Sequence, residues 1–332
     1  MHFSEKQYKI VINYILGPVV FIWLSYAIYQ QIAEQPNLKQ SWLILKQNIL
    51  KTQLANLLLV CLLMPVNWGF EAKKWQVLVK PMQPISFVRA FKAILSGQAL
   101  ALNTPNRIGE YAGRIAFLEE GNRLKGILLS LVANIPQIII TFLFGLVALV
   151  TMNETIQTSL NNVENLLVKS YPIYTVWVFL FGISLTLTYY NLSFFVRKVE
   201  KWWLFKRFRF LFEQLEYIPN KKLTVLLLLS LGRYIVFALQ YLLLLEVFGV
   251  TIYWWHSFCL IAIQYLILAC IPSIALGELG VRGQISITLF GIFSSNKLGI
   301  VATSAGIWFI NLIIPAIFGT LFFLGVKIFK QK

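Results

Sequence analysis

The stretch Pro105-Asn106-Arg107-Ile108-Gly109-Glu110-Tyr111-Ala112-Gly113-Arg114 places two arginines and a glutamate inside a chain that is otherwise largely hydrocarbon. A related pattern occurs once more, in Pro272-Ser273-Ile274-Ala275-Leu276-Gly277-Glu278-Leu279-Gly280-Val281-Arg282. Both stretches contain Gly-Glu-x-x-x-Arg, and a proline precedes the glycine by four or five residues. We interpret the two copies as the halves of one membrane-embedded site that binds an anionic group.

The composition of the chain is that of an integral membrane protein. Of its 332 residues, 58% are hydrophobic and 13% are charged, whereas a soluble domain has about 25% charged residues. The loops are too short for a sizeable soluble domain, so we expect residues 1–332 to form a single all-α membrane domain. The net charge of +16 is attributed to loops that contact anionic lipid headgroups, and no nucleic-acid partner is expected.

Several kinds of catalytic site are disfavoured by the residue types present. All 13 acidic residues are glutamates, which removes the aspartate-based magnesium sites of many lipid-linked transferases. The two histidines, His2 and His256, are too few for a multi-histidine metal site. The three cysteines lie in apolar segments without CxxC spacing, as buried structural cysteines do. We therefore predict no metal, no cofactor and no enzymatic activity.

Apolar runs of about 20 residues predict membrane spans. Six runs of this kind are present, at residues 10–29, 54–70, 127–150, 173–195, 223–247 and 298–326. Two shorter runs, at 90–102 and 258–271, are each followed by another short helical segment, at 107–120 and 281–293. Since neither piece can cross the bilayer alone, we predict two re-entrant helical hairpins in addition to six full transmembrane helices.

The charges indicate how this arrangement is oriented in the membrane. Six crossings and two hairpins place both termini on one side. The basic segments 71–92 and 197–222 and the lysine-containing tail then share that side, which the positive-inside rule makes the cytoplasm. At the break of the first hairpin, Thr104 is predicted to cap the second helix and Pro105 to occupy its first position.

The chain divides into two halves with the same order of segments. Residues 1–150 and 173–326 each contain span, span, hairpin and span, with Gly-Glu-x-x-x-Arg in the hairpin. Each half crosses the membrane an odd number of times, so the second half is predicted to be inverted relative to the first. Inverted repeats whose broken helices meet near the bilayer midplane are typical of secondary transporters.

Polar residues inside the predicted membrane segments define the candidate site. Arg233 lies about 11 residues into its span, which at 1.5 Å per residue is ~16 Å deep and close to mid-bilayer. A charge at that depth needs a partner or a wet cavity. Gln240 lies further along the same helical face. The predicted substrate-binding residues are Arg107, Glu110, Arg114, Arg233, Gln240, Glu278 and Arg282.

The charge balance of this set predicts the kind of ligand. Four arginines against two glutamates leave two positive charges unbalanced. With the N-terminal ends of both half-helices at the breaks, such a pocket prefers a phosphate or a carboxylate. The alternative is that each glutamate only fixes the arginine four residues later and stabilises its own hairpin. That alternative is weaker for Arg107 and Arg233, which have no obvious partner nearby in the sequence.

The segments 102–110 and 277–281 resemble the lysylphosphatidylglycerol synthase transmembrane family, through Pro-x-Arg-x-Gly-Glu in the first and Gly-Glu-Leu-Gly-Val in the second. The second motif departs from the family at Ala275-Leu276, where a glycine-rich stretch is common. The resemblance implies a flippase-like fold in the bacterial cytoplasmic membrane and an anionic or aminoacylated lipid substrate. It does not imply lysine transfer, because the family's synthase activity lies in a separate soluble domain that we do not expect here.

Three functions are compatible with these observations. The first is translocation of an anionic lipid or a lipid-linked phosphate precursor, by alternating access between the two repeats. The second is a non-catalytic role as membrane partner of a glycosyltransferase or another envelope enzyme. The third and least favoured is a membrane enzyme that uses Glu110 or Glu278 as general base. The sequence contains no Walker loop, so ATP coupling is not expected.

Overall fold

The structure is a computed structural model that describes residues 53–102, 104, 107–153, 171–200, 215, 218–271 and 277–324, and the single positions 26, 29, 39 and 43. All secondary structure within these residues is helical, which confirms the predicted all-α class. The first predicted span, at 10–29, lies outside the described residues apart from Tyr26 and Tyr29.

The described part of the chain contains eleven α-helices. In chain order they are α1 (Leu54–Val79), α2 (Phe87–Leu102), α3 (Gly109–Ile115), α4 (Arg123–Thr151), α5 (Tyr171–Tyr190), α6 (Leu192–Glu200), α7 (Asn220–Val247), α8 (Trp254–Cys270), α9 (Gly277–Phe290), α10 (Lys297–Trp308) and α11 (Ile314–Leu324). A 3-10 turn (Glu120–Asn122) leads into α4, and a π-helical turn (Phe309–Ile313) joins α10 to α11.

Several of these helices are suited to cross a bilayer. Four helical stretches are long and apolar enough, namely Leu54–Val79, Glu120–Thr151, Asn220–Val247 and Lys297–Leu324. The pair α5 and α6 gives a fifth span if the two helices are counted together, although they are bent by 81°. The polytopic membrane class is therefore confirmed, whereas the count of six spans and two re-entrant hairpins stays a prediction.

The predicted span over 173–195 consists of two helices, α5 and α6, which meet at Asn191 with a bend of 81°. The side-chain amide of Asn191 donates to the carbonyl of Leu187 at 2.8 Å. Asparagine side chains that bond to nearby backbone compete with regular helix hydrogen bonding. The chain turns at this point, and α6 begins at Leu192.

The prediction that the second span ends at Phe70 is also wrong. The helix α1 continues to Val79, so Glu71 and Lys74 belong to the helix and are buried rather than part of a cytoplasmic loop. Residues 71–79 contain no helix breaker, and the first proline after them is Pro81. Lys80 still has helical backbone, and its N–H donates to the carbonyl of Gln76 at 3.0 Å. Pro81 has no N–H to continue this hydrogen bonding, so the helix ends here.

The two long helices α1 and α7 pack against each other in antiparallel directions. Near one end of the pair, Nδ2 of Asn56 donates to Oε2 of Glu246 at 3.1 Å. At the other end, Lys80 and Lys222 line the same surface depression. This packing brings the middle of α1 to the level of the middle of α7.

The buried core consists of two clusters, one beside each helical hairpin. In the first, Trp75 of α1 packs among residues that include Ile94 of α2. In the second, Tyr241 of α7 packs with Leu260 of α8 and Phe290 of α9, and the rings of Tyr241 and Phe290 are stacked at 5.6 Å. Each cluster fixes one hairpin to the long helix that precedes it.

The first hairpin is formed by α2 and α3, whose backbones touch at glycines. A Cβ atom on Gly113 would lie 2.4 Å from the backbone nitrogen of Gly97, and one on Gly109 would lie 2.3 Å from the carbonyl oxygen of Leu100. The helix α3 is shorter than the predicted segment 107–120. Arg107 has a φ of 58°, which a right-handed helix does not accept, so α3 begins after it.

The N-cap prediction for this hairpin is wrong, because the N-cap residue of α3 is Ile108, although the side chain of Thr104 bonds to the first N–H of that helix. The hydroxyl of Thr104 accepts from the N–H of Gly109 at 2.7 Å, and it donates to the carbonyl of Leu100 at 3.0 Å. Thr104 therefore supports the first turn of α3, but that turn begins at Gly109 and not at Pro105, which itself lies outside the described residues.

The hairpins also pack against the other half of the chain. The helix α2 packs on α11, and α8 packs on α4. The contact between α2 and α11 is close, since a Cβ atom on Gly319 would lie 1.9 Å from the carbonyl oxygen of Leu95. The last predicted span, 298–326, includes a π-helical turn just before Pro315, where the missing N–H of proline disturbs regular helix hydrogen bonding.

Candidate functional site

Glu71 on α1 is the centre of a buried ionic network. Its side chain is 1% exposed, and its carboxylate pairs with Lys74 Nζ at 2.8 Å, Arg114 Nη2 at 3.0 Å and Arg233 Nη1 at 2.7 Å. A buried carboxylate is stable only with close compensation of this kind. Since the three cations come from α1, α3 and α7, Glu71 joins the first hairpin to the two long helices.

Lys74 and Arg114 form the buried side of this network. The side chain of Lys74 is fully buried, and its Nζ also donates to the carbonyl of Ala133 on α4 at 3.2 Å. Arg114 is 1% exposed and pairs with Glu110, one turn earlier in α3, as well as with Glu71. The Glu110–Arg114 pair therefore forms at the predicted spacing within α3, and the Arg114–Glu71 pair holds α3 against α1.

Arg233 finds its partners on α1. Its Nε donates to Asn67 Oδ1 at 3.1 Å and its Nη1 to Glu71 Oε2 at 2.7 Å. The guanidinium also lies 5.2 Å from the centroid of the Trp68 ring, a cation–π distance. The sequence gives Arg233 no local partner, but the antiparallel packing of α1 on α7 supplies three.

Arg107 stands at the break between α2 and α3. Its positive φ of 58° is uncommon for a residue other than glycine, and such backbone is concentrated at functional sites. Its Nη2 donates to Gln98 Oε1 on α2, and its Nε lies 3.8 Å from Glu110 Oε2 on α3. The break thus holds a partly exposed guanidinium between the two arms of the hairpin.

In the second hairpin, Glu278 and Arg282 pair on α9. Both Nε and Nη2 of Arg282 donate to Oε1 of Glu278, at 2.9 and 2.7 Å. The two residues are four positions apart on one helical face, which is the favourable order for a glutamate and an arginine. The pair fixes the direction of the Arg282 side chain.

A cavity of about 270 Å³ lies among α1, α4, α7, α8, α9 and the π-helical turn. Arg107, Arg233 and Arg282 all line it, and their side chains are 32%, 22% and 13% exposed. Its other described lining residues are neutral, and none is acidic. Three different elements thus contribute guanidinium groups to the cavity, and the glutamates that pair with them are not among its described lining residues.

Many neutral side chains of this cavity keep a buried polar atom without a hydrogen-bond partner in the described part of the chain. These atoms are Asn67 Nδ2, Trp68 Nε1, Gln137 Oε1, Tyr234 Oη, Tyr265 Oη and both amide atoms of Asn311. Unpaired buried polar atoms are rare in folded proteins. Each of these atoms has less than 1 Å² of accessible surface, so it lies within the wall of the cavity and does not itself face the open space.

The predicted site residues fall into three groups. Arg107, Arg233 and Arg282 meet at the cavity. Glu110, Arg114 and Glu278 do not line it and act as ion-pair partners. Gln240 is separate from both groups, because its side chain is buried and donates to the carbonyl of Val60 at 2.8 Å, in the packing of α7 on α1.

The most important residues that sequence reasoning missed are Asn67, Glu71 and Lys74. Their spacing of four and three residues places them on one face of a continuous helix. The spacing is thus visible in the sequence, but the many basic residues of 71–92 favour a loop there. Gln137 and Asn311 were polar residues in apolar spans, and only the tertiary structure places both at the cavity.

The geometry agrees with a comparison against protein families. The family model of the lysylphosphatidylglycerol synthase TM region matches residues 10–319. The chain belongs to this family. The match covers every residue of the ionic network and of the cavity, so both lie within the family's membrane region. A comparison with curated protein sequences finds no match.

Proposed function

We propose that this member of the lysylphosphatidylglycerol synthase TM family translocates lipids with an anionic headgroup across the cytoplasmic membrane, with both termini of the protein in the cytoplasm. The family and the membrane-spanning helices are consistent with a role in membrane lipid metabolism. The observation that carries the proposal is the cavity where Arg107, Arg233 and Arg282 meet without a carboxylate in its described lining.

The charge balance supports an anionic ligand. The network and the cavity together contain the cations Lys74, Arg107, Arg114, Arg233 and Arg282 and the carboxylates Glu71, Glu110 and Glu278. The excess of two positive charges that the sequence predicted thus persists when Glu71 and Lys74 are included. Excess charge at membrane depth is costly until an anion or water compensates it, and guanidinium groups bind phosphate through paired N–H donors.

The size of the cavity suits a headgroup and not a whole lipid. Its volume of about 270 Å³ is just below the ~300–1,000 Å³ of sites that enclose drug-sized ligands. Acyl or prenyl chains would therefore stay in the bilayer while the headgroup moves through the protein.

The packing of the helices supports alternating access between two inverted repeats. The long helices α1 and α7 pack on each other, α2 packs on the last helix of the second half, and α8 packs on the last helix of the first half. Each hairpin thus depends on the opposite half. A rocking motion of one half against the other would change the access to a headgroup held between them.

The proposal is tested by lipid flipping in proteoliposomes, with a fluorescent phosphatidylglycerol and a membrane-impermeant quencher. Arg107→Ala and Arg233→Ala should each slow flipping about tenfold or more, since a hydrogen bond to a charged group contributes about 1.5–3 kcal/mol. Lys73→Ala is the matched control, because it removes an exposed cation from α1 outside the cavity. Unchanged flipping in both arginine variants would reject the proposal.

We propose a transporter rather than an enzyme because of where the carboxylates lie. Glu71, Glu110 and Glu278 are each engaged by arginine, and none lines the cavity, so none is placed to act as general base on a bound headgroup. Product formation by the purified protein from a lipid-linked donor would contradict this. Co-purification of an envelope enzyme by a protein that does not flip lipid would favour the partner hypothesis.

A further inference from the structure

The surface depression between the end of α1 and the start of α7 combines lysines with apolar side chains. It is a groove of about 630 Å³ that Lys80, Lys221 and Lys222 line, and we call it the lysine groove. We propose that the lysine groove binds the phosphate of an anionic phospholipid from the leaflet next to it, as a second lipid site besides the cavity. This inference does not depend on translocation, because it needs only the membrane placement of the two helices.

The three lysines come from two helices that are far apart in sequence. Lys80 directly follows α1, and Lys221 and Lys222 belong to the first turn of α7. Lys80 and Lys222 are close enough for their ammonium groups to repel each other. The first turn of a helix also carries a partial positive charge, so two lysines there add to an unfavourable concentration of positive charge. A bound phosphate would relieve this repulsion, because it brings negative charge to the ammonium groups.

The other described residues that line the groove suit the hydrocarbon next to a phosphate. They are two valines and two prolines. Val77 lies one helical turn before Lys80 on α1, and Val225 lies one turn after Lys222 on α7. Both valines are thus further along their spans toward the bilayer interior than the lysines. A phospholipid can contact the lysines with its phosphate and the valines with the start of an acyl chain, whereas a soluble phosphate compound would use the lysines alone.

The neighbouring helices place the groove at the level of the headgroups. The hydroxyl of Tyr189, near the end of α5, donates to the carbonyl of Leu223 at 2.8 Å, so α5 ends beside the start of α7. From there α6 leaves α5 with a bend of 81°. Because α5 is taken to cross the bilayer, α6 runs close to the membrane plane, and its last turn carries Arg197 and Lys198. Basic helices of this kind lie among lipid headgroups, and the positive-inside rule makes this the cytoplasmic leaflet.

The lysine groove is separate from the cavity. The two share no described lining residue. Along α7, Lys222 and Arg233 are about 11 residues apart, which is ~16 Å at 1.5 Å per residue. The guanidinium of Arg233 is held in place by Asn67 and Glu71, so one phosphate does not contact both residues. An anionic lipid in the groove is therefore a different molecule from a headgroup in the cavity.

The test is photo-crosslinking of the unaltered full-length protein in detergent micelles. The probe is a phosphatidylglycerol with a diazirine near the start of one acyl chain. After illumination and digestion, mass spectrometry should find modified peptides that contain residues 77–80 or 221–225. Excess unlabelled cardiolipin, which carries two phosphates, should reduce this labelling about fivefold or more. Excess phosphatidylcholine or soluble glycerol phosphate should leave it unchanged.

Double variants separate the groove from the general positive charge of the protein. Lys80→Gln with Lys222→Gln should lower the labelling about tenfold or more, whereas arginine at both positions keeps the charge and should retain it. Lys73→Gln with Lys92→Gln is the matched control, because it removes two exposed lysines outside the groove. If a variant does not fold, as judged by its thermal unfolding, the competition between lipids on the unaltered protein still decides.

The inference is overturned if the groove peptides are not labelled, if phosphatidylcholine competes as well as cardiolipin, or if the two glutamine double variants weaken labelling equally. Competition by glycerol phosphate would show a site for free phosphate and would reject the lipid. Failure of this inference can be told from failure of the proposed function. Labelling at the groove without flipping rejects translocation alone, whereas flipping without labelling at the groove rejects the second lipid site alone.

Discussion

At the scale of single residues, the site depends on one carboxylate. Glu71 is surrounded by Lys74, Arg114 and Arg233, so it holds cations that would otherwise repel one another in a membrane interior. Arg233 can therefore line the cavity, while Arg114, which pairs with the same carboxylate, is buried. The charged residues that face the ligand are positioned by others that never reach it.

Replacing Glu71 should be among the most damaging substitutions in the protein. Glu71→Gln leaves Lys74 buried without a carboxylate, and loss of one partner of a buried ion pair costs about 3–5 kcal/mol of folding free energy. We expect a marked drop in the thermal unfolding midpoint in detergent. Glu120→Gln, at an exposed glutamate in the turn before α4, should leave the midpoint unchanged. Equal midpoints for the two variants would contradict the central role of Glu71.

Replacing Lys74 should cost less folding free energy than replacing Glu71. Arg114 and Arg233 still compensate the Glu71 carboxylate when a neutral residue stands at position 74. Lys74→Met should thus destabilise the protein less than Glu71→Gln. The double variant should cost less than the sum of the two single changes, with a coupling of about 0.5–3 kcal/mol. A double-mutant cycle of unfolding free energies measures this coupling, and strict additivity would show that the pair is not coupled.

At the scale of helices, the first hairpin is defined by backbone contact. Glycines at positions 97, 109 and 113 allow α2 and α3 to approach until backbone atoms touch, as small residues do between membrane helices. This close approach sets the height of Glu110 and Arg114 relative to Glu71, and it places Arg107 at the break. The glycines therefore determine the geometry of the charges.

Gly113→Ala should displace α3 from α2. The added methyl would lie 2.4 Å from the backbone nitrogen of Gly97, and a clash with backbone cannot be relieved by a side-chain rotation. We expect a loss of about 1–3 kcal/mol, typical of overpacking, together with slower flipping. Gly182→Ala is the matched control in α5, where an added methyl meets no atom within 4 Å. A Gly113→Ala protein as stable and active as this control would refute the argument.

Thr104→Val tests the cap of α3 separately from its packing. The substitution keeps the shape of the side chain but removes the oxygen that accepts from Gly109 N–H at 2.7 Å. Loss of a cap costs about 0.5–2 kcal/mol, so the midpoint of thermal unfolding should fall modestly. Thr188→Val is a suitable control, since that hydroxyl on α5 donates to the carbonyl of Ser184 in the preceding turn of its own helix. A fall of the same size in both variants would argue against a cap.

At the scale of the whole molecule, the cavity is made by elements distant in sequence. The lining arginines come from the first hairpin, α7 and the second hairpin, and α4 and the π-helical turn contribute the neutral groups Gln137 and Asn311. Movement of one half of the chain against the other would therefore change the distances between the lining residues of the two halves at the same time. This is the physical basis for linking the binding of a headgroup to a change in access.

The orientation of the molecule can be tested by cysteine labelling in cells. The reagent is a membrane-impermeant maleimide, and the background is a variant without the native cysteines. Lys80→Cys should react with it only after the cells are permeabilised. Tyr253→Cys should react from outside. Both positions are exposed, and they lie near opposite ends of the antiparallel pair of α1 and α7. Labelling of both from the same side would contradict the predicted topology.

The sequence by itself determined the class of the protein, its family and the identity of the charged residues of the hairpins. These follow from apolar run length and from Gly-Glu-x-x-x-Arg, which act locally along the chain. It also predicted the excess of positive charge and, in outline, the broken segments that became α2–α3 and α8–α9. The inverted repeat and the orientation stay predictions.

Only the tertiary structure decided which charges from different helices meet. Arg233 has partners because α1 packs antiparallel to α7, and Glu71 is their centre because α1 continues past Phe70 to Val79. Local pattern does not contain this information, since a buried ion pair depends on the relative height of two helices far apart in sequence. Backbone contact at glycines and the packing of side chains set that height. As a result, Arg107, Arg233 and Arg282 line the cavity, whereas Gln240 lies in the interface between α1 and α7.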